Sequence, residues 1–207
     1  MCTSLSRVNS SRTPRAEATR RRLLDATWEL LQEEGAAATS LEAVARRAGI
    51  TRRALYLHFG SRAELLMALR GHVDEAYDLA ASVGPIGAAP TVEEAVAAWA
   101  RHVARFHARI APVIKALEAA AAGDDDVAAL LRQSKSAWLG ECRNLVRRIE
   151  AEGRLAPPWT VTQAADLLWS FMAVTFVDDL VTARRWTVTQ LAERLTLVVH
   201  RAVMTAP

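Results

Sequence analysis

Five times along the chain a Ser or Thr is followed three residues later by Glu or Gln: Thr39 with Glu42, Ser61 with Glu64, Thr91 with Glu94, Thr160 with Gln163, and Thr187 with Gln190. In such a pair each side chain can satisfy a backbone donor that the first helical turn leaves orphaned, so each pair predicts a helix start. Gly35, Gly49 and Gly153 follow helical runs at the place where a left-handed residue closes a helix, and Arg46 and Arg47 stand where cations complement a helix C-terminus. β-Branched runs and Asn-Gly or Asp-Gly hairpin signals are absent. The expected fold is all-α with about nine helices. A content of 51% hydrophobic and 24% charged residues suits a folded globular chain rather than a disordered one.

The first helix is predicted from about Pro14 to Glu34, with Thr13 as its cap and Leu23, Leu24, Thr27, Leu30 and Leu31 along one face. Three closely spaced elements follow, Thr39 to Ala48, Arg52 to His58, and a longer helix after Ser61 with Leu65, Leu66, Leu69, Val73 and Tyr77 at core spacing. Gly84, Pro85, Gly87 and Pro90 put a boundary between Val83 and Pro90. Beyond it, helices are expected over Thr91 to about His107, Pro112 to Ala122, Asp124 to Glu152, Thr160 to about Arg184, and Thr187 to Met204. The predicted organisation is a disordered arm over residues 1–14, a head over 15–60 with a connecting helix to about 80, and a helical body over 81–207.

Charge is distributed unevenly between these parts. Residues 1–62 carry 11 Arg and no Lys against 6 acidic residues, whereas the remainder carries 15 Lys or Arg against 17 acids. A basic first third on a near-neutral body suggests an end that meets a polyanion, although a merely soluble basic face has the same signature. Cys2 and Cys142 form no CxxC and no disulfide framework, which fits a reducing cytoplasm. The first fifteen residues hold no apolar block of signal-peptide length. The most apolar stretch, residues 164–177, is interrupted by Asp166 and is shorter than the roughly 20 residues a bilayer requires, so no membrane association is expected.

A helix-turn-helix needs a bracing helix, a tight turn, and a second helix short enough to enter a major groove about 12 Å wide. Residues 39–59 supply all three. Leu41, Val44, Ala45 and Ala48 give the first helix a packing face, Gly49 makes the turn, Thr51 caps the second helix, and Leu55 and Phe59 are placed to pack inward. Arg52, Arg53, Tyr56 and His58 are left for the groove and its walls.

The run from Thr39 through Ala-Gly-Ile-Thr-Arg-Arg-Ala-Leu-Tyr-Leu-His-Phe-Gly-Ser-Arg to Leu66 resembles the DNA-binding domain of the TetR family, and Leu23, Leu24, Leu30, Leu31 and Gly35 resemble that family's first helix. The resemblance covers roughly residues 15–70. It implies a three-helix DNA-binding head, a ligand-binding body, and a homodimer that packs its last two helices against their symmetry mates on a palindromic operator. Carried over position by position, Thr39 and Tyr56 would touch phosphates, Arg52 and Arg53 would stand at the front of the recognition helix, and His58 would lie near its end. Arg62, where the family usually has lysine, would meet a phosphate. Arg53 replaces a frequent glycine and Ala54 a frequent threonine, so operator preference cannot be borrowed from relatives. Arginine reading guanine through O6 and N7 is the commonest specific pair, and either Arg53 or Arg52 is placed for it. Arg7, Arg12 and Arg15 would reach an adjacent groove or stay in solvent.

In the body, Trp99, His102 and Phe106 fall at i, i+3 and i+7, and the resemblance places Trp138 and Trp169 on helices around the family's cavity. These five residues are the expected pocket for a small apolar or aromatic effector, although any single aromatic residue at helical spacing is more often core. His102 and His107, five apart, do not share a face of an α-helix, and no metal site or cofactor is expected. Val188, Leu191, Ala192, Leu195, Val198, Val199 and Ala202 form a sustained stripe on the last helix. By the resemblance, Leu191, Leu195, Val198 and Val199 join Phe171 and Phe176 in a four-helix dimer interface; intrachain core is the alternative.

An enzyme is a poor fit, because the chain has no phosphate loop, nucleophile elbow or metal-ligand cluster. Asp124 to Asp126 suit a helix start better than a carboxylate site. The expected function is a cytoplasmic DNA-binding regulator, a repressor released by an effector. A helical protein-binding adaptor, or a regulator that is ligand-independent or activating, are the other readings.

Overall fold

The computed structural model describes residues 14–205, so Thr13 and nearly all of the arm, Cys2, Arg7 and Arg12 included, lie outside the described residues. The first helix, α1 (Pro14–Glu34), leads into α2 (Leu41–Arg47), α3 (Arg52–Tyr56) and α4 (Arg62–Ala76). The body comprises α5 (Leu79–Ala88), α6 (Val92–His102), a π-helical turn (Val103–His107), α7 (Ala108–Ala121), α8 (Asp125–Ala151), α9 (Val161–Phe171), α10 (Val174–Asp178), a second π-helical turn (Asp179–Ala183) and α11 (Val188–Ala202). Among the described residues the single β feature is an isolated bridge between Leu155 and Met204. Among the described residues the all-α expectation holds, with eleven α-helices in place of about nine.

Local chemistry accounts for most helix ends. Ser61, Thr91, Thr160 and Thr187 cap their helices by accepting from the backbone N–H three residues on. The pairing is reciprocal only at Thr160 with Gln163 and Thr187 with Gln190; Glu64 instead accepts from the N–H of Gly60 at 2.7 Å. The first predicted pair is displaced by one residue. Ser40 caps α2 by accepting from Ala43 N, while Thr39 is buried and donates its hydroxyl to the Gly35 carbonyl at 2.9 Å. Two adjacent hydroxyl residues compete there, and Thr39, whose methyl is the more apolar, takes the inward place. Gly35, Gly49 and Gly153 all have positive φ, as helix-closing residues do.

Two buried clusters hold the elements together. The first joins Leu23 and Leu30 of α1, Val44 of α2, Leu55 and Phe59 around α3, and Leu65 and Leu69 of α4 to Ile110, Ile114 and Leu117 of α7. Head and body therefore share a core through α7. The second joins Val96 and Trp99 of α6, Val146 and Ile149 of α8, Ala165 and Leu168 of α9, and Leu191, Leu195 and Val199 of α11.

Four features depart from the sequence reading. The stretch predicted as a boundary, residues 83–90, is mostly helical: the chain breaks earlier, at Asp78, whose φ of 47° turns the backbone and whose carboxylate caps α5 through Ala81 N. Pro85 is tolerated because its turn faces solvent, while Ile86 packs on the second core; tertiary contact outweighs local propensity. Next, α6, the π-helical turn and α7 run on without interruption, so Pro112 lies inside a helix instead of opening one. Third, the helix predicted over 160–184 breaks at Ala173, whose ψ of 127° is extended. No Gly or Pro marks this break. Trp169 Nε1 donates to the Lys135 carbonyl at 3.1 Å, tying α9 to α8, and Asp178 pairs with Lys115, tying α10 to α7. Finally, the apolar stripe of α11 is largely consumed inside the chain. Leu191, Leu195 and Val199 are buried against α6, so they do not face a partner; Val198, on the far side, is 43% exposed.

No helix of the described residues is long and apolar enough to cross a membrane. Among those residues no group of three or more His, Cys, Asp or Glu is placed to hold a metal ion. Cys142 is a buried free thiol, pushed up to about 12 chiefly by desolvation, with its sulfur 3.4 Å from that of Met172.

Candidate nucleic-acid interface and effector cleft

The turn between α2 and α3 is tight because Gly49 has a positive φ and the N–H of Ile50 reaches back to the Ala45 carbonyl at 3.0 Å. Thr51 then caps α3, accepting from Ala54 N at 3.2 Å. Leu55 and Phe59 are wholly buried and anchor α3 to the head. α1 holds the far end of the motif: Arg20 lays its guanidinium over the Phe59 ring, 4.1 Å from the centroid, and donates to the His58 carbonyl at 2.9 Å.

The opposite side of α3 is open. Thr51, Arg52, Arg53 and Tyr56 are exposed, and His58 is half-buried. Arg52 donates to the Tyr56 hydroxyl at 3.2 Å with its guanidinium 5.6 Å from the ring centroid, so the two form one basic, amphipathic ledge. Arg53 makes no hydrogen bond or ion pair with the described residues. Leu57 is 82% exposed, the most exposed large apolar side chain described, and nothing in the helical pattern singled it out. Arg47 faces away from this surface and is bound to Glu29, Glu33 and Glu34 of α1, which locks α2 against α1 and spends its charge there.

Two residues expected at phosphates sit differently. Thr39 is buried, with its hydroxyl committed to Gly35. Half-buried Arg62 donates from Nε to the Thr39 carbonyl and from Nη2 to the Ala36 carbonyl, each at 2.8 Å. Both brace the loop before α2, because that loop leaves carbonyls without helical partners and the guanidinium fork can reach two of them at once.

Four of the five residues expected to line a pocket converge. Trp99, His102, Phe106 and Trp138 border one cleft of about 250 Å³, closed by Leu79, Val83 and Ile86 of α5 and by Met172. Arg70 of α4 lines the same cleft and was not anticipated, since an arginine in a helix reads as surface. Trp169 lines a neighbouring cleft of about 200 Å³ with Ile114, Glu118 and Lys135; Trp138 and Met172 stand between the two. His102 stacks on Phe106 at 5.3 Å between centroids and shares a 2.8 Å hydrogen bond through Nδ1 with the Ser82 hydroxyl.

The π-helical turn explains why residues five apart meet. Its i→i+5 bonding widens the turn, and the rings of His102 and His107 come to 5.5 Å, edge to face. His107 in turn meets the Trp138 ring at 4.9 Å. Burial pushes His102 down to about 4 and His107 to about 3, the latter helped by the neighbouring His102, so both rings are neutral near pH 7.

The comparisons agree with this geometry. Residues 23–69 match the profile of the bacterial regulatory proteins of the tetR family. The transcriptional regulator SrpR of Pseudomonas putida is 43% identical over 54 residues, which span 26% of this chain and only 25% of that relative. NalD of Pseudomonas aeruginosa, the secondary repressor of the MexAB-OprM multidrug efflux pump, superposes with a TM-score of 0.67 at 25% identity, over 93% of this chain and all of that one. A transcriptional regulator of Saccharomonospora viridis solved with choline reaches a TM-score of 0.77 at 16% identity, over 92% of this chain and all of its own. Its likeness is one of fold. Over residues 23–69, with the exposed helix α3 seated on a buried Leu55 and Phe59, the head matches the bacterial regulatory proteins of the tetR family.

Proposed function

We propose that the chain is a cytoplasmic transcriptional regulator that binds double-stranded DNA as a homodimer and is released from a palindromic operator by a small, largely apolar effector. One observation carries the reading: α3 is anchored by two wholly buried residues and presents Thr51, Arg52, Arg53 and Tyr56 outward together. Phosphate contacts from Thr51, Tyr56 and His58 would set register, while Arg52 or Arg53 would read base edges. Two heads related by a two-fold axis read two half-sites one helical turn apart, or a multiple of it, which is why a palindrome is proposed. The dimer face is assigned to the solvent side of α11, with Leu197 and Val198, and to the adjoining half-buried Phe171 and Phe176.

The aromatic cleft supports an apolar occupant, and the choline-bound regulator of similar fold supports a small molecule in such a body. α4 links the two sites, with Arg62 at the head and Arg70 in the cleft. An effector that favours one tilt of α4 and a DNA that favours another are coupled reciprocally, and a swing from 1:99 to 99:1 requires about 5.5 kcal/mol of differential binding.

Footprinting on the DNA that flanks the chain's own gene tests the reading. A symmetric protected pair of half-sites that disappears on adding an apolar aromatic compound is the expected pattern. Absence of any protected site at low salt would overturn it.

A further inference from the structure

The cleft carries one feature that an apolar effector leaves unused. Arg70 is only 8% exposed, yet it lines the cleft directly. Its Nε donates to Asp74 at 2.8 Å, and its guanidinium lies 5.9 Å from the Trp138 ring centroid. Neither Nη nitrogen donates to an acceptor among the described residues. A guanidinium carries five N–H donors in a rigid plane, and the edge bearing the two Nη groups matches the two oxygens of a carboxylate. Desolvating such a fork without acceptors is costly.

The Asp74 pair does not account for the residue. Asp74 lies in the last turn of α4, where the helix dipole disfavours a carboxylate, and an acid placed four residues after its base is the weaker order of such a pair. An arginine kept there for helix stability would sit better elsewhere. Around the fork the walls are Trp99, Phe106 and Trp138, with neutral His102; the one acid on the lining is Glu141, which is exposed, and Asp74 lies outside it.

Resting on the reading of this cleft as the effector site, we infer that its ligand is an aromatic or otherwise apolar monoanion, whose carboxylate engages the free Nη edge of Arg70 while its ring lies among Trp99, Phe106 and Trp138. The cleft volume of about 250 Å³ limits the apolar part to one or two rings. Because Arg70 belongs to α4, the same contact grips the helix that carries Arg62 into the head.

Calorimetric titration of the full chain with 2-naphthoate, 2-naphthamide and 2-naphthylmethylammonium tests this. The acid is expected to bind at least about tenfold more tightly than either matched compound, as a charge-assisted two-point contact implies. Arg70→Met keeps the apolar stem and is expected to weaken the acid at least about tenfold while weakening the amide less, so that the preference for the acid is lost. Arg70→Lys, which keeps the charge but not the fork, is expected to fall between them, and serves if the methionine variant fails to fold. Equal or tighter binding of the amide or the ammonium compound, undiminished acid binding by Arg70→Met, or no binding of any of the three overturns the inference. Salt-dependent DNA binding by the ligand-free chain would survive each of those results, so the regulator reading is tested separately.

Discussion

Arg62, in the first turn of α4, donates to the carbonyl of Thr39, the residue that precedes the cap of α2, at 2.8 Å. A second bond to Ala36 makes Arg62 a clip across the loop between α1 and α2. Charge-assisted bonds to half-buried carbonyls are expected to matter for folding: Arg62→Ala should cost about 1–3 kcal/mol in urea denaturation, because two carbonyls lose their donor. Arg62→Lys should recover part of that, since an ammonium meets the carbonyls as a point charge and not as a fork. A loss below about 0.5 kcal/mol, the size of an ordinary surface change, would show that the clip contributes nothing measurable.

Arg53 should behave oppositely. It is exposed and unbonded to the described residues, so Arg53→Ala should leave stability within about 0.5 kcal/mol. If it reads a guanine, the variant should lose about 1–3 kcal/mol of discrimination at one operator base. Competition between the operator and single-base variants measures this, and unchanged discrimination would move the assignment to Arg52.

Much of the head was legible because its chemistry is local. Thr51 as cap, Gly49 as turn, and Leu55 with Phe59 as inward anchors all follow from spacing, and all stand in the structure. What was missed depends on distant partners. Nothing around Thr39 and Ser40 says which hydroxyl turns inward, and nothing around Ala173 says that a helix tied to α8 on one side and to α7 on the other must break. Gly84, Pro85 and Gly87 read as a boundary until Ile86 has α6 to pack on. The cleft was legible in part. Trp99, His102 and Phe106 are close in sequence, whereas Arg70 and Trp138 meet them only in the fold, and the His102 to His107 approach requires a π-helical turn that α-helical spacing does not anticipate.

The buried histidine pair predicts a pH dependence of stability. Both folded-state values lie below the ordinary 6.5, at about 4 and about 3, so the unfolded chain binds more protons between these limits. Stability contributed by the neutral rings is full above pH 6.5 and is lost as pH falls through the window down to about 4 and then 3. Each ring adds up to about 1.4 kcal/mol per pH unit within its window. His107→Leu should flatten the stability curve between pH 6 and 4, measured by denaturation at stepped pH. An unchanged slope would contradict the buried, neutral assignment.

α11 offers a comparison between its two sides. Val198 faces solvent and Leu195 faces α6. Val198→Asp should shift a dimer toward monomer in light scattering with little loss of helix. Leu195→Ala should instead cost about 2–5 kcal/mol of stability, as core truncations do. A wild-type chain that is monomeric at micromolar concentration would contradict the proposed dimer.

The outward face of α3 is proposed as a DNA-reading surface. Its most direct test is the salt dependence of binding to the footprinted site and to a scrambled duplex of the same length. For such a surface the log binding constant falls linearly with log salt, by roughly 0.9 for each phosphate neutralised, and the site is bound about a thousandfold or more tighter than the scrambled duplex. A slope near zero, or equal affinity for both duplexes, would contradict it.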